Sequence, residues 1–596
     1  MSKFVDSIIG HAIGSAMGVA TEFSKSREKL ALRPVTQMKK SIRFKQPAGT
    51  WSDSTSMEIA TIESYIENNG FNCDDIMRRW TAWVDHGEYA CNGVFFGTGK
   101  TVLKAIKNYN QGVLPRNCGL TDISSNGNGS LMRVLPVALY SYSKKLSDKE
   151  IIKLVNDISS LTHAHDISKL GCYIYTKFVI YLLKGFNKQQ AYNRIQNEDY
   201  SSYSLEAIHA YKRVLRGNIT NYKLGEINSS SYVVHTLESA LWILLNQDNY
   251  KDTIIASTNI GNDTDTIGAV VGSMAGIIYG YNAIPKDWLN SLRKKDYLMD
   301  LSLNFEKTIC EFKKDIVMGA IIGDIAGSRF EFNYTDTGKD FILLHQKYDS
   351  ITDDTVMTLA VAKTILKCNN NFSNVGDIAI DSMVEIGKQY PECGYGNSFY
   401  NWINSEEHAP YNSYGNGAAM RISPVAASIE NKEQLLEIAE EITNISHNHP
   451  DSINGVKALC TAIFLARNGA DKKDIKEDIE KEYFKLNGTV EELKNSYETT
   501  TINCIDSVRL ALISFLESYD FEDTVRNAIS LGGDTDTIAA IAGSIAAAYY
   551  GIPEDIYDEA LKFLDPMLRD IHDEFEKKYS NRKVRKDNAV NTNDNK

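Results

Sequence analysis

Five short landmarks occur twice in this chain in one order, which restricts the fold to two copies of a single kind of unit. "GSAMGVATEF" (14–23) matches "GDIAGSRFEF" (323–332), "TWSDSTSMEIA" (50–60) matches "SITDDTVMTLA" (350–360), and "NGNGSLMRVLPVA" (126–138) matches "YGNGAAMRISPVA" (414–426). "LTHAHD" (161–166) then pairs with "ISHNHP" (445–450), and "IGNDTDTIGA" (260–269) with "LGGDTDTIAA" (531–540). The offsets fall from 309 to 300, 288, 284 and 271 residues, so the extra residues of the first copy lie between landmarks, as surface loops would. Each copy is long enough to enclose its own core. The boundary falls near 305–314, giving domains over 1–305 and 310–580 and a polar, Asn-rich tail over 581–596 that reads as disordered.

Between landmarks the pattern is helical. "DIVMGAIIGDIAG", "VMTLAVAKTILK", "KEQLLEIAEEITNI", "VKALCTAIFLARNG" and "CIDSVRLALISFLES" space apolar residues by three and four. Few runs alternate as strands do, and no Walker or Rossmann glycine pattern is present, so the expected class is all-α. "FVDSIIGHAIGSAMGVA" after Lys3 imitates a secretory leader, but Asp6 and His11 interrupt it and a similar stretch recurs at 315–332. "IAAIAGSIAAAYYGI" is 15 residues long, short of the roughly 20 that span a bilayer, so no membrane partner is expected.

A net charge of -13 provides no broad basic surface for a nucleic acid, and the one local basic run is "RKVRK" (582–586). Nine scattered cysteines without a C-x-x-C pair indicate thiols in a reducing, cytoplasmic compartment.

The polar residues that interrupt the helices carry the chemistry. "TDDT" and "DTDT" offer only carboxylate and hydroxyl oxygens, a hard donor set that suits Mg²⁺ or Mn²⁺ and argues against zinc or copper. If the chain before the Ala/Gly helix is extended, Asp534 and Asp536 point to one side while Thr537 begins the helix. A plainer reading competes, because Asp, Ser or Thr before an apolar run is also what an ordinary helix cap looks like. Likewise "YGNGAAMR" is either a turn or a loop whose backbone N–H groups meet phosphate oxygens, and His447 and His449 are either ordinary buried histidines or ligand contacts. Both acidic clusters occurring with a Gly-rich segment between them, twice over, favours a site.

At these residues the chain resembles the ADP-ribosylglycohydrolases, a family that includes the dinitrogenase-reductase-activating glycohydrolase. "GDIAGSRFEF", "TDDTVMTLA", "YGNGAAMRISPVA", "SHNHP" and "GGDTDTIAAIAGSIAAAYYG" carry the resemblance over about 315–555, and their counterparts carry it less perfectly over about 6–285. The resemblance implies a tandem pair of helical bundles, each built around two Mg²⁺ or Mn²⁺ ions where the site is intact. It implies a metal set of Thr352, Asp353, Asp354, Asp534, Asp536 and Thr537, with Glu331, Asp353 and Asp354 handling protons near the scissile bond. Ser413, Tyr414, Gly415, Asn416 and Gly417 would bind diphosphate and ribose, with His447 lining the pocket and Gly396 in a second ligand loop. Tyr395 and Tyr414 are candidates for stacking on adenine. The activity implied is hydrolysis at the anomeric carbon of ADP-ribose, releasing it from a modified protein or another conjugate. Neither the linkage nor the oligomeric state is set by these residues.

The first copy departs from the pattern. Ser15 stands where Asp324 does, Ser52 replaces Thr352 and Ser54 replaces Asp354, while Asp53, Asp263, Asp265 and Thr266 remain as a vestigial metal set. A serine hydroxyl cannot supply a carboxylate's charge beside a divalent cation. The expectation is that this copy binds metal weakly or not at all and that catalysis lies mainly in the second. A non-hydrolytic ADP-ribose-binding protein, or a structural protein on the same scaffold, is the alternative.

Overall fold

The computed structural model describes residues 2–23, 26–332, 338–339, 341–494 and 502–579. The chain divides into two units, Met1–Cys310 and Glu311–Lys596, each with its own hydrophobic core. The expected tail, 581–596, lies outside the described residues. Among those residues regular structure is helical, apart from a two-residue antiparallel pair of β1 (Phe312–Lys313) and β2 (Ile552–Pro553), so the all-α expectation holds. No helix among them is long and apolar enough to cross a membrane.

In the first unit the helices that matter for the site are α1 (Lys3–Gly18), α2 (Asp53–Asn68), α3 (Asp166–Leu183) and α4 (Thr264–Tyr279). Their counterparts in the second unit are α5 (Ile316–Ser328), α6 (Asp353–Cys368), α7 (Pro450–Arg467) and α8 (Thr535–Tyr549). Every residue of α8 from Thr535 to Ala548 is buried, as is every residue of α5 up to Gly327. A helix covered on all sides has no polar face, which is why its sequence reads as an unbroken apolar run.

Small residues let α5 and α8 touch backbone to backbone. A Cβ on Gly323 would overlap the carbonyl of Ala539, and one on Gly327 would lie 2.5 Å from the Asp536 Cα. Thr535 fastens the crossing, its hydroxyl donating to the Gly327 carbonyl at 2.9 Å. The first unit repeats the arrangement, with Gly14 against Gly268 and the Thr264 hydroxyl on the Gly18 carbonyl at 2.9 Å. The mouth of each DTDT helix is thereby pinned beside the end of its partner, and the next few residues of that partner chain must pass over it.

Asp315 caps α5, accepting from the Met318 N–H at 2.9 Å, and its other oxygen meets His572 Nε2 at 2.8 Å and the Tyr557 hydroxyl at 3.0 Å. Asp573 faces the other ring nitrogen of the fully buried His572 at 2.9 Å. Burial opposes charge on this ring, but the hydrogen bonds and charges of Asp315 and Asp573 outweigh it and raise its pKa to about 8. A folded pKa above the unfolded value stabilises the fold fully below the unfolded pKa, and that stabilisation is lost as pH rises through the folded pKa. The unfolding free energy from denaturant titrations should therefore fall between about pH 6.5 and 8, by about 2 kcal/mol in all. His572→Gln should flatten that slope.

Candidate metal centre and active site

The TDDT segment is ordered by one buried carboxylate. Asp324, on α5, accepts from the Thr352 N–H at 3.0 Å, the Thr352 hydroxyl at 2.7 Å and the Thr355 N–H at 3.0 Å, and also from the Thr355 hydroxyl. Thr352 in turn caps α6, its Oγ1 accepting from the Asp354 N–H at 3.3 Å. With the threonines committed to Asp324, the side chains of Asp353 and Asp354 are left to face the pocket.

The DTDT segment begins its helix earlier than the sequence suggests. α8 starts at Thr535, so Asp534 is the cap position and Asp536 and Thr537 lie in the first turn, rather than on an extended strand. The ordinary-cap reading fails at Asp534, whose carboxylate caps no N–H of the helix and instead accepts from the Asn416 side chain at 2.6 Å. Thr537 donates to Asp354 Oδ2 at 3.2 Å, joining the two acidic segments. Glu331 completes the group, since one carboxylate oxygen each from Glu331, Asp534 and Asp536 all lie within 4.8 Å of one another. The next residue, Phe332, holds φ at +47°, a left-handed backbone costly for a bulky side chain, and its N–H is tied to the Gly533 carbonyl at 2.7 Å.

These carboxylates, the Gly-rich loop and His447 together line one cavity of about 420 Å³. A Cβ on Gly417 would lie 3.2 Å from His447 Nε2, so a side chain there would press on the ring. Within the loop the Asn416 N–H goes to the Ile502 carbonyl at 2.9 Å and the Gly415 N–H to the Ser413 hydroxyl at 3.2 Å. Two of the N–H groups expected to meet phosphate are thus already engaged. His447 Nδ1 lies 2.8 Å from the Ser446 hydroxyl, which also accepts from Arg421 at 2.7 Å. Burial and the Arg421 charge hold the imidazole well below its ordinary pKa, so it is neutral near pH 7.

Among the described residues no ion pair reaches the acidic cluster, and Arg421 is the cation that shares its cavity. Burial first, then Asp324, pushes Asp353 up to about 7, and burial with Asp536 drives Asp354 higher still. Burial, then Asp534 and Glu331, drives Asp536 upward, and burial raises Asp534 and Asp324 too. The Asp354 Oδ1 atom is buried with no hydrogen-bond partner. Crowded carboxylates with an unpartnered oxygen, joined by no His or Cys ligand among the described residues, fit a hard divalent cation.

The sequence-derived residues Glu331, Asp353, Asp354, Asp534, Asp536, Thr537, Gly396, Ser413, Gly415, Asn416, Gly417 and His447 all line this cavity. Thr352 and Tyr414 do not. Thr352 gives its hydroxyl to Asp324, and Tyr414 is 55% exposed with its ring 5.9 Å from that of His449. His449 is a helix cap, accepting from the Asp451 N–H at 3.1 Å. The aromatic walls among the described residues are Phe332, Phe399 and Tyr411, in place of the two tyrosines expected. Gly394 was also missed, and it comes so near Asp353 that a Cβ would stand 3.3 Å from its Oδ1.

Asp324 is the most consequential omission, and the Ser15 substitution in the first copy was the clue to it. Asp324→Ser should leave the fold standing, as Ser15 does, yet lower cation affinity or turnover about 10- to 100-fold by loosening the segment that aims Asp353 and Asp354. Isothermal titration with Mn²⁺ measures it.

The first unit keeps much of this framework. Asn128 donates to Asp263 at 3.0 Å, Phe23 holds φ at +45° with its N–H on the Asn262 carbonyl, and His163 Nδ1 lies 2.8 Å from the Thr162 hydroxyl. Ser15 and Ser52 bond each other at 2.9 Å where the second unit has Asp324 and Thr352. Asp53, Asp263, Asp265 and Thr266 are all buried, and Glu22, the counterpart of Glu331, joins them unforeseen.

A family model described as ADP-ribosylglycohydrolase matches residues 1–312 and again 313–583. The ADP-ribosylarginine hydrolase Tri1 of Serratia proteamaculans is 30% identical over 311 residues, covering 51% of this chain and 78% of its own. The ADP-ribosyl-[dinitrogen reductase] glycohydrolase of Rhodospirillum rubrum is 26% identical over 49% of this chain and 91% of its own. Human ADP-ribosylhydrolase ARH3 is 26% identical over 44% and 92%.

Proposed function

Because the chain belongs to the ADP-ribosylglycohydrolase family along both of its halves, we propose that it hydrolyses the bond at the anomeric carbon of an ADP-ribosyl conjugate, with catalysis in the second unit. The target is an ADP-ribosylated protein or small conjugate, in keeping with the names of the relatives. The observation that carries this reading is the meeting of Glu331, Asp353, Asp354, Asp534 and Asp536 in a cavity that a glycine-rich loop also lines.

Asp353, Asp354, Asp534, Asp536 and Thr537 would hold two Mg²⁺ or Mn²⁺ ions, with Glu331 beside them. The ions, when bound, supply positive charge and Lewis acidity next to the ribose hydroxyls. Cleavage builds oxocarbenium character on the ribose, which the surrounding carboxylates stabilise. Glu331, exposed at the cavity mouth and raised in pKa by desolvation and by Asp534, is placed to exchange a proton with the departing group or the incoming water. Arg421 donates to Ser446, so the Ser446 proton turns to His447 Nδ1, leaving an uncharged Nε2–H beside Gly417 to donate to a ligand oxygen. Gly415 and Gly417 keep that wall thin enough for a diphosphate, and Tyr411 offers a ring for a base.

Release of free ADP-ribose from defined ADP-ribosyl-arginine and ADP-ribosyl-serine peptides, with Mg²⁺ and with EDTA, tests the reading. Turnover in Mg²⁺ that is lost in Asp534→Asn and kept in Asp263→Asn is the expected result. Tight ADP-ribose binding with no release from either peptide would favour a non-hydrolytic binding protein.

A further inference from the structure

Outside the second unit's cavity, the most demanding group of side chains is the buried acidic cluster of the first unit. Glu22, Asp263 and Asp265 each place a carboxylate oxygen within 4.8 Å of the others, at 5%, 4% and 2% exposure. Clustering alone proves nothing, but Glu22 Oε2 and Asp265 Oδ1 are also buried without any hydrogen-bond partner. Among the described residues no ion pair reaches the three; the Arg43 guanidinium, over the Phe23 and Phe44 rings, acts on Glu22 without offsetting burial and the neighbouring aspartates. Buried carboxyl groups without donors are neutralised either by a proton or by a cation, and three that converge with unpartnered oxygens form a ready cradle for a cation. The strained Phe23 backbone and the Asn128 hydrogen bond to Asp263 hold two members of the group in place.

The opposite wall has lost one of its two carboxylates. In the second unit α6 brings Asp353 and Asp354, and the latter meets Thr537. In the first, Asp53 remains, but Ser54 replaces the second carboxylate and its hydroxyl is itself buried and unpartnered. We infer that the first unit holds a single divalent cation of the hard, oxygen-liganded class, through Glu22, Asp263 and Asp265, and lacks the second. This revises the expectation of weak or absent metal in that copy, and it rests on the reading that the acidic pocket of this fold holds cations.

Mn²⁺ titrated into the full-length, EDTA-stripped chain tests it by equilibrium dialysis and electron paramagnetic resonance. The expected result is three ions per chain, one with the six-line spectrum of an isolated ion and two as a spin-coupled pair. Glu22→Gln and Asp263→Asn, two isosteric changes at distant points of the chain, should each remove the six-line species and leave the coupled pair. Ser54→Asp with Ser15→Asp should raise the count to four. If both single variants fold, by unchanged thermal midpoints in EDTA, and keep count and spectrum unchanged, the inference is overturned. It is equally overturned if the unaltered first unit holds two. Failure of the second-unit reading shows separately, as Asp534→Asn leaving the coupled pair untouched.

Discussion

Asp536→Asn in the otherwise intact chain should lower Mg²⁺-dependent release of ADP-ribose about a thousandfold, the equivalent of about 4 kcal/mol in the barrier. Asp536 belongs to the acidic cluster, within 4.8 Å of oxygens of Glu331 and Asp534 and next to Thr537, which reaches Asp354. An amide there keeps the shape and removes a charge that would attract the proposed cations. The same change should not harm the cation-free fold. Burial and its carboxylate neighbours drive Asp536 far above the ordinary carboxylate range, so deleting the charge relieves repulsion. Thermal midpoints in EDTA should be equal or higher in the variant, and the Mg²⁺-induced rise in midpoint should shrink. A variant inactive only because it is unfolded would show the opposite in EDTA. Asp265→Asn, at the matching place in the first unit, should leave turnover largely intact.

Gly323→Val should destabilise the second unit by about 3 kcal/mol or more, near the upper range for overpacking a rigid core. The Ala539 carbonyl occupies the position a Cβ would take, and both partners are backbone in fully buried helices, so neither side can swing away. The damage should reach the site, because the same crossing sets Gly327 against Asp536. Gly225→Ala is the control, since a Cβ there meets nothing within 4 Å. It should stay within about 0.5 kcal/mol of the parent in a denaturant titration.

The fold was legible because helix-period runs and a duplicated landmark order are local, redundant properties of the chain. Much of the candidate site was legible for a related reason: its carboxylates come in pairs, Asp353 with Asp354 and Asp534 with Asp536, at the mouths of apolar helices. What escaped was set by contacts distant in sequence. Asp324 lies 28 residues before Thr352, inside a run that reads as pure core, and only the packed structure shows its hydrogen bonds. Glu22 looked unremarkable until α1 and α4 were seen in backbone contact, which brings the chain after Gly18 over Asp263 and Asp265. Tyr395 and Tyr414 sit in the expected loops without lining the cavity, because facing is decided by local backbone turns that composition does not encode. The start of α8 was misplaced by two residues because a threonine reads equally well as a cap or as a first helical residue. Thr535 proved to be helical and spent its hydroxyl on α5.

Anomalous diffraction from crystals of the chain grown with Mn²⁺ and ADP-ribose addresses the central idea most directly. Manganese peaks enclosed by Asp353, Asp354, Asp534 and Asp536, with the ribose against them, are the predicted result. Those four carboxylates turned to water, with no peak between them and turnover persisting in EDTA, would contradict it.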